Sequence, residues 1–204
     1  TPERYQAWHD ATPDDFVFAV KAPRYITHIR RLKDIDTPLA NFFASGPLLL
    51  GNKLGPFLWQ FPANMRFDAE RFGAFLQLLP RDRAAAKRSA NGCEQRLQGN
   101  GGTQISGNAP LRHAVEIRHE SFLCDRFVEL LRQLHVALVV ADSAGKWPYV
   151  EDVTADFMYM RLHGDVELYS SGYTVSALRR WKKRIEQWTE GSQPDDAHLI
   201  VQGP

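Results

Sequence analysis

Short apolar runs rich in Val, Phe and Ile recur along the chain, bounded by prolines, glycines and charged residues. Runs of this length and composition are typical of parallel strands that are buried on both faces. The pattern predicts six strands, at residues 16–22, 56–62, 113–118, 137–143, 157–164 and 198–204.

Segments with a helical repeat lie between several of these runs. The apolar residues of 68–80, 125–135 and 176–188 recur every three or four positions, so that they share one helix face. Such helices pack their apolar side against a sheet. Strands that alternate with helices predict an α/β fold with a parallel sheet.

The residues at the strand ends distinguish two α/β architectures. Lys21, Gln60, Arg118, Asp142 and His163 stand at or near the ends of five predicted strands. In a TIM-type barrel the carboxyl ends of all strands meet at one opening, here called the mouth, where active sites lie. A doubly wound sheet would gather such ends only near its switch point. The sequence therefore predicts a TIM-type (β/α) barrel.

The organisation of the chain is predicted to be simple. We expect residues 1–204 to form a single barrel domain, in which the polar, glycine-rich segment 87–110 is a surface loop. The chain opens within a helical pattern at Thr1 rather than at Met. We therefore expect it to be part of a longer protein.

The composition indicates the class of protein but does not indicate a partner. Hydrophobic residues make up 44 % of the 204 residues and charged residues 24 %, with a net charge of +1, so global charge favours no particular partner. The two cysteines have no metal-binding spacing, and we find neither an 18-residue apolar run nor a signal-peptide pattern. These features predict a cytoplasmic protein without a membrane contact.

The stretch 157–173 raises the question of what its strand faces. Phe157, Tyr159, Arg161 and His163 alternate onto one face. Because an arginine and a histidine are costly on a buried face, this face is predicted to look into the mouth. The loop that follows carries Asp165, Tyr169 and Tyr173 over the same opening.

The stretch 113–122 repeats this arrangement. Val115 and Ile117 lie on one side of the predicted strand, whereas Glu116 and Arg118 lie on the side facing the barrel axis, with His119 at the rim. Buried charges are costly unless they are paired. Two interpretations stay open: the charges form a polar site at the mouth, or they pair inside the barrel and only hold it together.

Together these positions define a candidate site. Lys21, Gln60, Arg118, His119, Arg161, Tyr169 and Tyr173 are the predicted ligand-binding residues, and His163, Glu116 and Asp142 the predicted catalytic residues. Guanidinium groups suit a carboxylate or phosphate in bidentate geometry, and a mixed set of acids, bases and histidines suits general acid–base chemistry. A divalent metal on His119, His163, Glu116 and Asp142 is a weaker alternative, since no H-x-H or HExxH spacing supports it. The sequence names no cofactor.

Other charged segments are interpreted more simply. The basic runs in 24–33 and 179–184 are read as solvated faces. Lys146 with Trp147 either ends a loop, which is the favoured interpretation, or clamps a ligand ring or phosphate. No Walker loop, no GxGxxG after a strand and no GxSxG elbow is present. Their absence removes the usual motifs for an ATPase, a dinucleotide enzyme and a serine hydrolase.

Five motifs in order resemble those of the YecE-like proteins, domain-of-unknown-function family 72. They read FVFAVKAPRYITHIRRLKD, LGPFLWQFPANMRFD, LRHAVEIRHESF, VALVVADSAGKWP and MYMRLHGDVELYSSGY, and they span residues 16 to 173 apart from the loop. The resemblance implies a TIM-type barrel with a polar mouth, and one suggestion for the family is a nucleic-acid role akin to endonuclease IV. That enzyme uses a cluster of His, Asp and Glu around its metals, and this sequence has no recognisable match to that cluster.

The chain departs from the family pattern in three places. The N-terminal part with the first two strands is absent, the run 198–204 lacks the expected aromatic and Asp/Asn-rich ending, and 87–110 differs from the usual helix and linker. Three functions therefore stay open: binding or turnover of an anionic small molecule at the mouth, a nucleic-acid or nuclease-like role, and a non-catalytic scaffold.

Overall fold

The ends of the strands position the site. The computed structural model describes residues 1–99, 101–105, 107–164 and 172–201. In these residues the chain forms one curled, five-stranded parallel sheet in the order β1-β2-β3-β4-β5. The strands are β1 (Phe18–Lys21), β2 (Leu54–Gln60), β3 (His113–Glu116), β4 (Ala137–Asp142) and β5 (Tyr159–Leu162). The predicted parallel α/β architecture is confirmed as a half-barrel.

Six α-helices accompany the sheet in the described residues. They are α1 (Pro2–Asp10), α2 (Asp36–Ala44), α3 (Ala69–Leu78), α4 (Arg83–Ala90), α5 (Asp125–Gln133) and α6 (Val175–Thr189). The three helices predicted from periodicity are α3, α5 and α6. The helices α3 and α6 begin at capping side chains: Asp68 accepts a hydrogen bond from the backbone N–H of Arg71, and Thr174 from that of Ala177. No helix in this part of the chain is long and apolar enough to cross a membrane.

The two faces of the sheet bury different side chains. Val115 and Ile117 belong to the main core, between the sheet and the helices, together with Phe57 and Trp59 of β2 and many other apolar residues. The concave face carries a smaller cluster of mostly small residues: Leu58, Ala114, Ala137, Val139 and Ala141. The alternation predicted for 113–118 is therefore confirmed, and Glu116 lies on the concave side of the sheet.

The predicted sixth strand is wrong over the residues that are described. Residues 198–201 are not extended into the sheet, and 202–204 lie outside the described residues. The buried Glu151 and Asp152 accept hydrogen bonds from the backbone N–H groups of His198, Ile200 and Val201 at 2.7–3.2 Å. Because carboxylates occupy these amides, the segment does not use them to pair with β5.

The segment 87–110 is not irregular throughout. Its first residues complete α4, which ends at Ala90, and a short 3₁₀ helix spans Gln95–Leu97. Asp82 caps α4 by accepting from the N–H of Ala85 at 2.7 Å, and Asp82 also forms an isolated antiparallel bridge with Pro110. Both ends of the predicted surface loop are therefore anchored, and its start is helical because an N-cap aspartate precedes an alanine run.

Candidate functional site

The carboxyl ends of the strands bring polar side chains together at one edge of the sheet. Lys21, Gln60, Glu116 and Asp142 are the last residues of β1 to β4. Gln60 is in register with Glu116, and Arg161 of β5 is in register with Ala141. Parallel pairing therefore aligns these residues at one end, because all five strands run the same way.

Glu116 is the centre of a hydrogen-bonded network. Its carboxylate, fully buried, accepts from Gln60 Nε2 at 2.9 Å, from Arg118 Nε at 3.0 Å and from Arg161 Nη1. Gln60 in turn accepts from Lys21 Nζ at 2.9 Å. We call Lys21, Arg118 and Arg161 the anion site: the two arginines contact Glu116 directly, and Lys21 reaches it through Gln60.

The network determines the protonation of Glu116. Burial would raise the pKa of Glu116, but the hydrogen bonds from Gln60 and Arg161 and the charges of Arg161 and Arg118 together outweigh it and hold that pKa below its usual value. Glu116 is therefore ionised at neutral pH.

The cations around Glu116 repel one another. Burial first, and then the charge of Arg161, lower the pKa of Lys21 below its usual value. The same two causes, in the same order, lower the pKa of the His163 imidazole. The single carboxylate of Glu116 therefore does not neutralise the cations around it. Because its pKa is lowered, His163 is a neutral imidazole at pH 7.

Most hydrogen-bond donors of the anion site are not used within the described residues. There, Arg118 donates through Nε alone, Arg161 through Nη1 alone, and Lys21 to Gln60 alone. The guanidinium carbon of Arg118 also lies over the ring of Trp147, 3.8 Å from its centroid. Because Trp147 covers a face of the guanidinium and Glu116 holds Nε, the two terminal nitrogens remain for bidentate contact with a ligand.

A second cluster lies at the end of β4. The hydroxyl of Tyr173 donates to Asp142 Oδ2 at 2.8 Å and accepts from the backbone N–H of Gly164 at 3.2 Å. The backbone N–H of His163 donates to the carbonyl of Asp142 at 2.9 Å. Three residues predicted for the site, Asp142, His163 and Tyr173, are therefore neighbours, and the charges of Arg161, Glu116 and Arg118 all act on His163.

Two predicted residues are not placed in this arrangement. His119 caps the short helix Glu120–Phe122, where its Nδ1 accepts from the backbone N–H of Ser121 at 3.0 Å. Tyr169 lies outside the described residues. Within the described ranges no group of three or more His, Cys, Asp or Glu side chains is placed to hold a metal ion. The ligand set proposed from sequence, His119, His163, Glu116 and Asp142, is therefore not assembled there.

Sequence reasoning missed several residues near the mouth. Trp147 was interpreted as a loop residue and stacks on Arg118 instead. His28 was assigned to a solvated basic run, yet burial and the charges of Arg24, Lys21 and Arg118 lower its pKa. Arg184 was placed on the solvated face of α6, but it is largely buried and bonds Glu151 at 2.9 Å. No local spacing signals the contacts of Trp147 and Arg184, because each joins segments far apart in the chain.

A cavity with a mainly apolar lining lies elsewhere. Its volume is about 530 Å³, and it is lined mainly by apolar side chains between β5 and α6, among them Met158, Met160, Ile185 and Trp188. None of the residues predicted for the site lines it. The charged network and not this cavity is therefore the candidate functional site.

These features define a class of protein: a curled parallel α/β sheet with charged side chains gathered at the carboxyl ends of its strands, where α/β barrels carry their sites. The chain belongs to the family described as "Protein of unknown function DUF72", whose model matches residues 1–203. The resemblance to the YecE-like proteins is thereby confirmed, since they are the same family.

Solved structures from the family share the fold. A DUF72 family protein from Thermotoga maritima is 23 % identical with a TM-score of 0.68, over 94 % of this chain and 69 % of that one. A DUF72 family protein from Enterococcus faecalis is 17 % identical with a TM-score of 0.64, over 94 % of this chain and 74 % of that one. No curated protein matches the chain. At these identities the similarity establishes the fold alone, and any activity has to be inferred from the residues of the site.

Proposed function

We propose that this protein binds an anionic small molecule, bearing a phosphate or a carboxylate, at the anion site. One observation carries the proposal: Arg118 and Arg161 both contact the single buried carboxylate of Glu116, and Lys21 reaches it through Gln60, which leaves these four charged groups with an excess of two positive charges. An anion would offset this excess and accept from the N–H groups that the network does not use. Arg118, oriented by Glu116 and Trp147, would contact it through its two terminal nitrogens.

We propose different roles for the three residues predicted to be catalytic. Glu116 positions Arg118 and Arg161, because all its described contacts are to hydrogen-bond donors that it orients. His163, whose pKa is lowered by burial and by Arg161, is suited to accept a proton from a bound ligand near pH 7. Asp142 sits beside His163 and is suited to hold a ligand hydroxyl. If the ligand is turned over, His163 is the base.

The wider setting is also a proposal. We place this half-barrel in a complete TIM-type barrel of a cytoplasmic protein, with the anion site at its mouth.

A nucleic-acid or endonuclease IV-like role has less support than the small-molecule role. Of the basic run on α6, Arg184 bonds the buried Glu151 and Lys182 forms an exposed pair with Glu186 at 2.7 Å, so these two charges already have acidic partners on this chain. The scaffold alternative has less support too, because a protein without a ligand at this site does not require the hydrogen-bond donors that the network leaves unused.

Inorganic phosphate is the probe that tests the proposal. We expect isothermal titration calorimetry to detect saturable phosphate binding that weakens as chloride rises. Arg161→Gln keeps a donor for Glu116 but removes the charge, and we expect it to lower the phosphate affinity about tenfold or more. Arg126→Gln, whose arginine forms an exposed pair with Glu129, is the matched control and should bind like the wild type. Equal affinities for all three proteins would reject the site.

Trp147 should affect the same binding through Arg118. Removing the ring in Trp147→Ala frees the guanidinium to rotate, and we expect phosphate affinity to fall about fivefold, as the loss of one cation–π contact implies. Trp147→Phe retains an aromatic face, so its loss of binding free energy for phosphate should be less than half of the loss in Trp147→Ala. The measurement is the same titration, and an unchanged affinity in Trp147→Ala would show that stacking does not orient Arg118.

A further inference from the structure

A polar cavity lies beside the anion site, at the end of β4. Its volume is about 250 Å³. It is lined by Asp142, Ser143, Gly145, Tyr149, Arg180, Trp181 and Arg184. The proposed anion contacts do not involve these side chains, so the cavity is space that a larger ligand would fill.

The cavity offers both a hydrogen-bond acceptor and a hydrogen-bond donor to the hydroxyl groups of a ligand. Asp142 Oδ2 accepts from Tyr173, whereas Oδ1 has no hydrogen-bond partner among the described residues. The hydroxyl oxygen of Ser143 accepts from the backbone N–H of Trp147 at 3.1 Å, which leaves its own hydrogen to donate. A carboxylate oxygen that accepts and a serine hydroxyl that donates, on consecutive residues, match a ligand with neighbouring hydroxyl groups.

Aromatic side chains form another wall. Trp181 of α6 is buried, and Tyr149 packs against it edge to face with the ring centroids 6.3 Å apart. Such rings present an apolar surface to the C–H face of a sugar or polyol while the polar groups take its hydroxyls. The cavity therefore suits a ligand part that is polar on its edge and apolar on its face.

The charges around the cavity argue against a cationic ligand part. Arg180 and Arg184 line it, and a ligand ammonium beside Asp142 would lie near both guanidinium groups. Arg184 is paired with Glu151 at 2.9 Å and Asp196 at 2.8 Å, so it is not a ready partner for a second anion. A neutral, hydroxylated group fits this setting better than an amine or a second phosphate.

Two connections place the cavity against the anion site. Trp147 bonds Ser143 through its backbone and covers Arg118 with its ring. The backbone N–H of His163 bonds the carbonyl of Asp142, and His163 follows Arg161 by two residues on the same strand path. One ligand would therefore reach both places, with its anionic group at Arg118 and Arg161.

We propose that the ligand is a phosphorylated sugar or polyol, whose hydroxyl-bearing part occupies this cavity on Asp142 and Ser143. The inference rests on the proposed function, because it requires the anionic group to bind first. It goes beyond that function in naming the chemical class of the ligand and the residues that select it.

Calorimetric titration with four probes tests the class: inorganic phosphate, ribose 5-phosphate, glucose 6-phosphate and phosphoethanolamine. We expect at least one sugar phosphate to bind about tenfold or more tightly than inorganic phosphate, since two hydrogen bonds, one of them to a charged carboxylate, are gained. Asp142→Asn should bring that sugar phosphate to within about twofold of inorganic phosphate, with both affinities measured on the same variant. Asp156→Asn, an exposed residue lining the apolar cavity between β5 and α6, is the matched control and should keep the difference.

The outcomes separate this inference from the proposed function. Phosphate binding with no gain for either sugar phosphate overturns the inference and leaves the anion site standing. A larger gain for phosphoethanolamine also overturns it, because Asp142 would then select an amine. No binding of any probe rejects the anion site itself. Circular dichroism verifies the fold of Asp142→Asn, and Ser143→Ala provides a second variant that must reduce the same gain.

Discussion

Replacing Glu116 by alanine is expected to lower the free energy of unfolding by about 3 kcal/mol. The substitution leaves Arg118 and Arg161 facing each other without the carboxylate that both contact, and breaking one side of a buried ion pair costs about 3–5 kcal/mol. We take the lower end because the two arginine side chains remain 15 % and 24 % exposed and are partly solvated. Urea unfolding at pH 7 and constant salt measures the effect.

The control for this prediction is a carboxylate in a solvated pair. Glu129→Ala removes the partner of Arg126 at the surface, where both side chains are more than half exposed, and should cost less than about 0.5 kcal/mol. If Glu116→Ala costs no more than Glu129→Ala, Glu116 does not hold the two arginines together in the folded protein. In that case Glu116 would not be the residue that orients the anion site.

Acid is expected to destabilise the protein through His113. Burial lowers the pKa of this histidine from 6.5 to about 4. Trp59 Nε1 donates to His113 Nδ1 at 3.1 Å, so that Nε2 carries the proton and donates to the carbonyl of Pro80 at 2.8 Å. Between pH 6.5 and pH 4 the unfolded chain binds a proton that the folded protein excludes, so stability falls as pH falls. The full difference amounts to about 3 kcal/mol.

Urea unfolding at several pH values isolates this contribution. The wild type should lose about 2–3 kcal/mol more than His113→Gln between pH 7.5 and pH 4.5, because the variant cannot titrate there. The variant itself should be less stable at pH 7.5, since it disturbs two buried hydrogen bonds. His135→Asn, at an exposed position with positive φ, removes a solvated histidine and should keep the wild-type pH dependence. Parallel pH curves for wild type and His113→Gln would contradict the assignment.

The strands and the inward residues of the site were predictable because strand periodicity is local. Side chains alternate every residue, so the parity of Glu116 against Val115 follows from the sequence alone. Arg161 is placed by the same argument. Once the strands run parallel, their polar ends meet at one edge whatever the details of packing, which is why Lys21, Gln60 and Asp142 were also found.

Features that depend on distant residues were not predictable in this way. The run 198–201 has strand composition, yet buried carboxylates nearly fifty residues earlier bind its amides. Helix α2 is buried through Leu39, Phe42 and Phe43 on one face and also through Ala40 and Ala44 beside it, so its apolar residues do not form a narrow stripe. Trp147 reaches Arg118 only because Ala144 and Gly145 turn the loop with positive φ, which no spacing rule announces.

The most direct test of the anion site is nuclear magnetic resonance of arginine side chains during a phosphate titration. The Nε–H signals of Arg118 and Arg161, assigned with single variants, should shift together and saturate at one phosphate concentration. The signal of Arg126, exposed on α5, should move only with ionic strength. Saturable shifts confined to Arg118 and Arg161 are the result predicted here. Shifts that are small, linear and equal for all three arginines would contradict the claim that this site binds an anion.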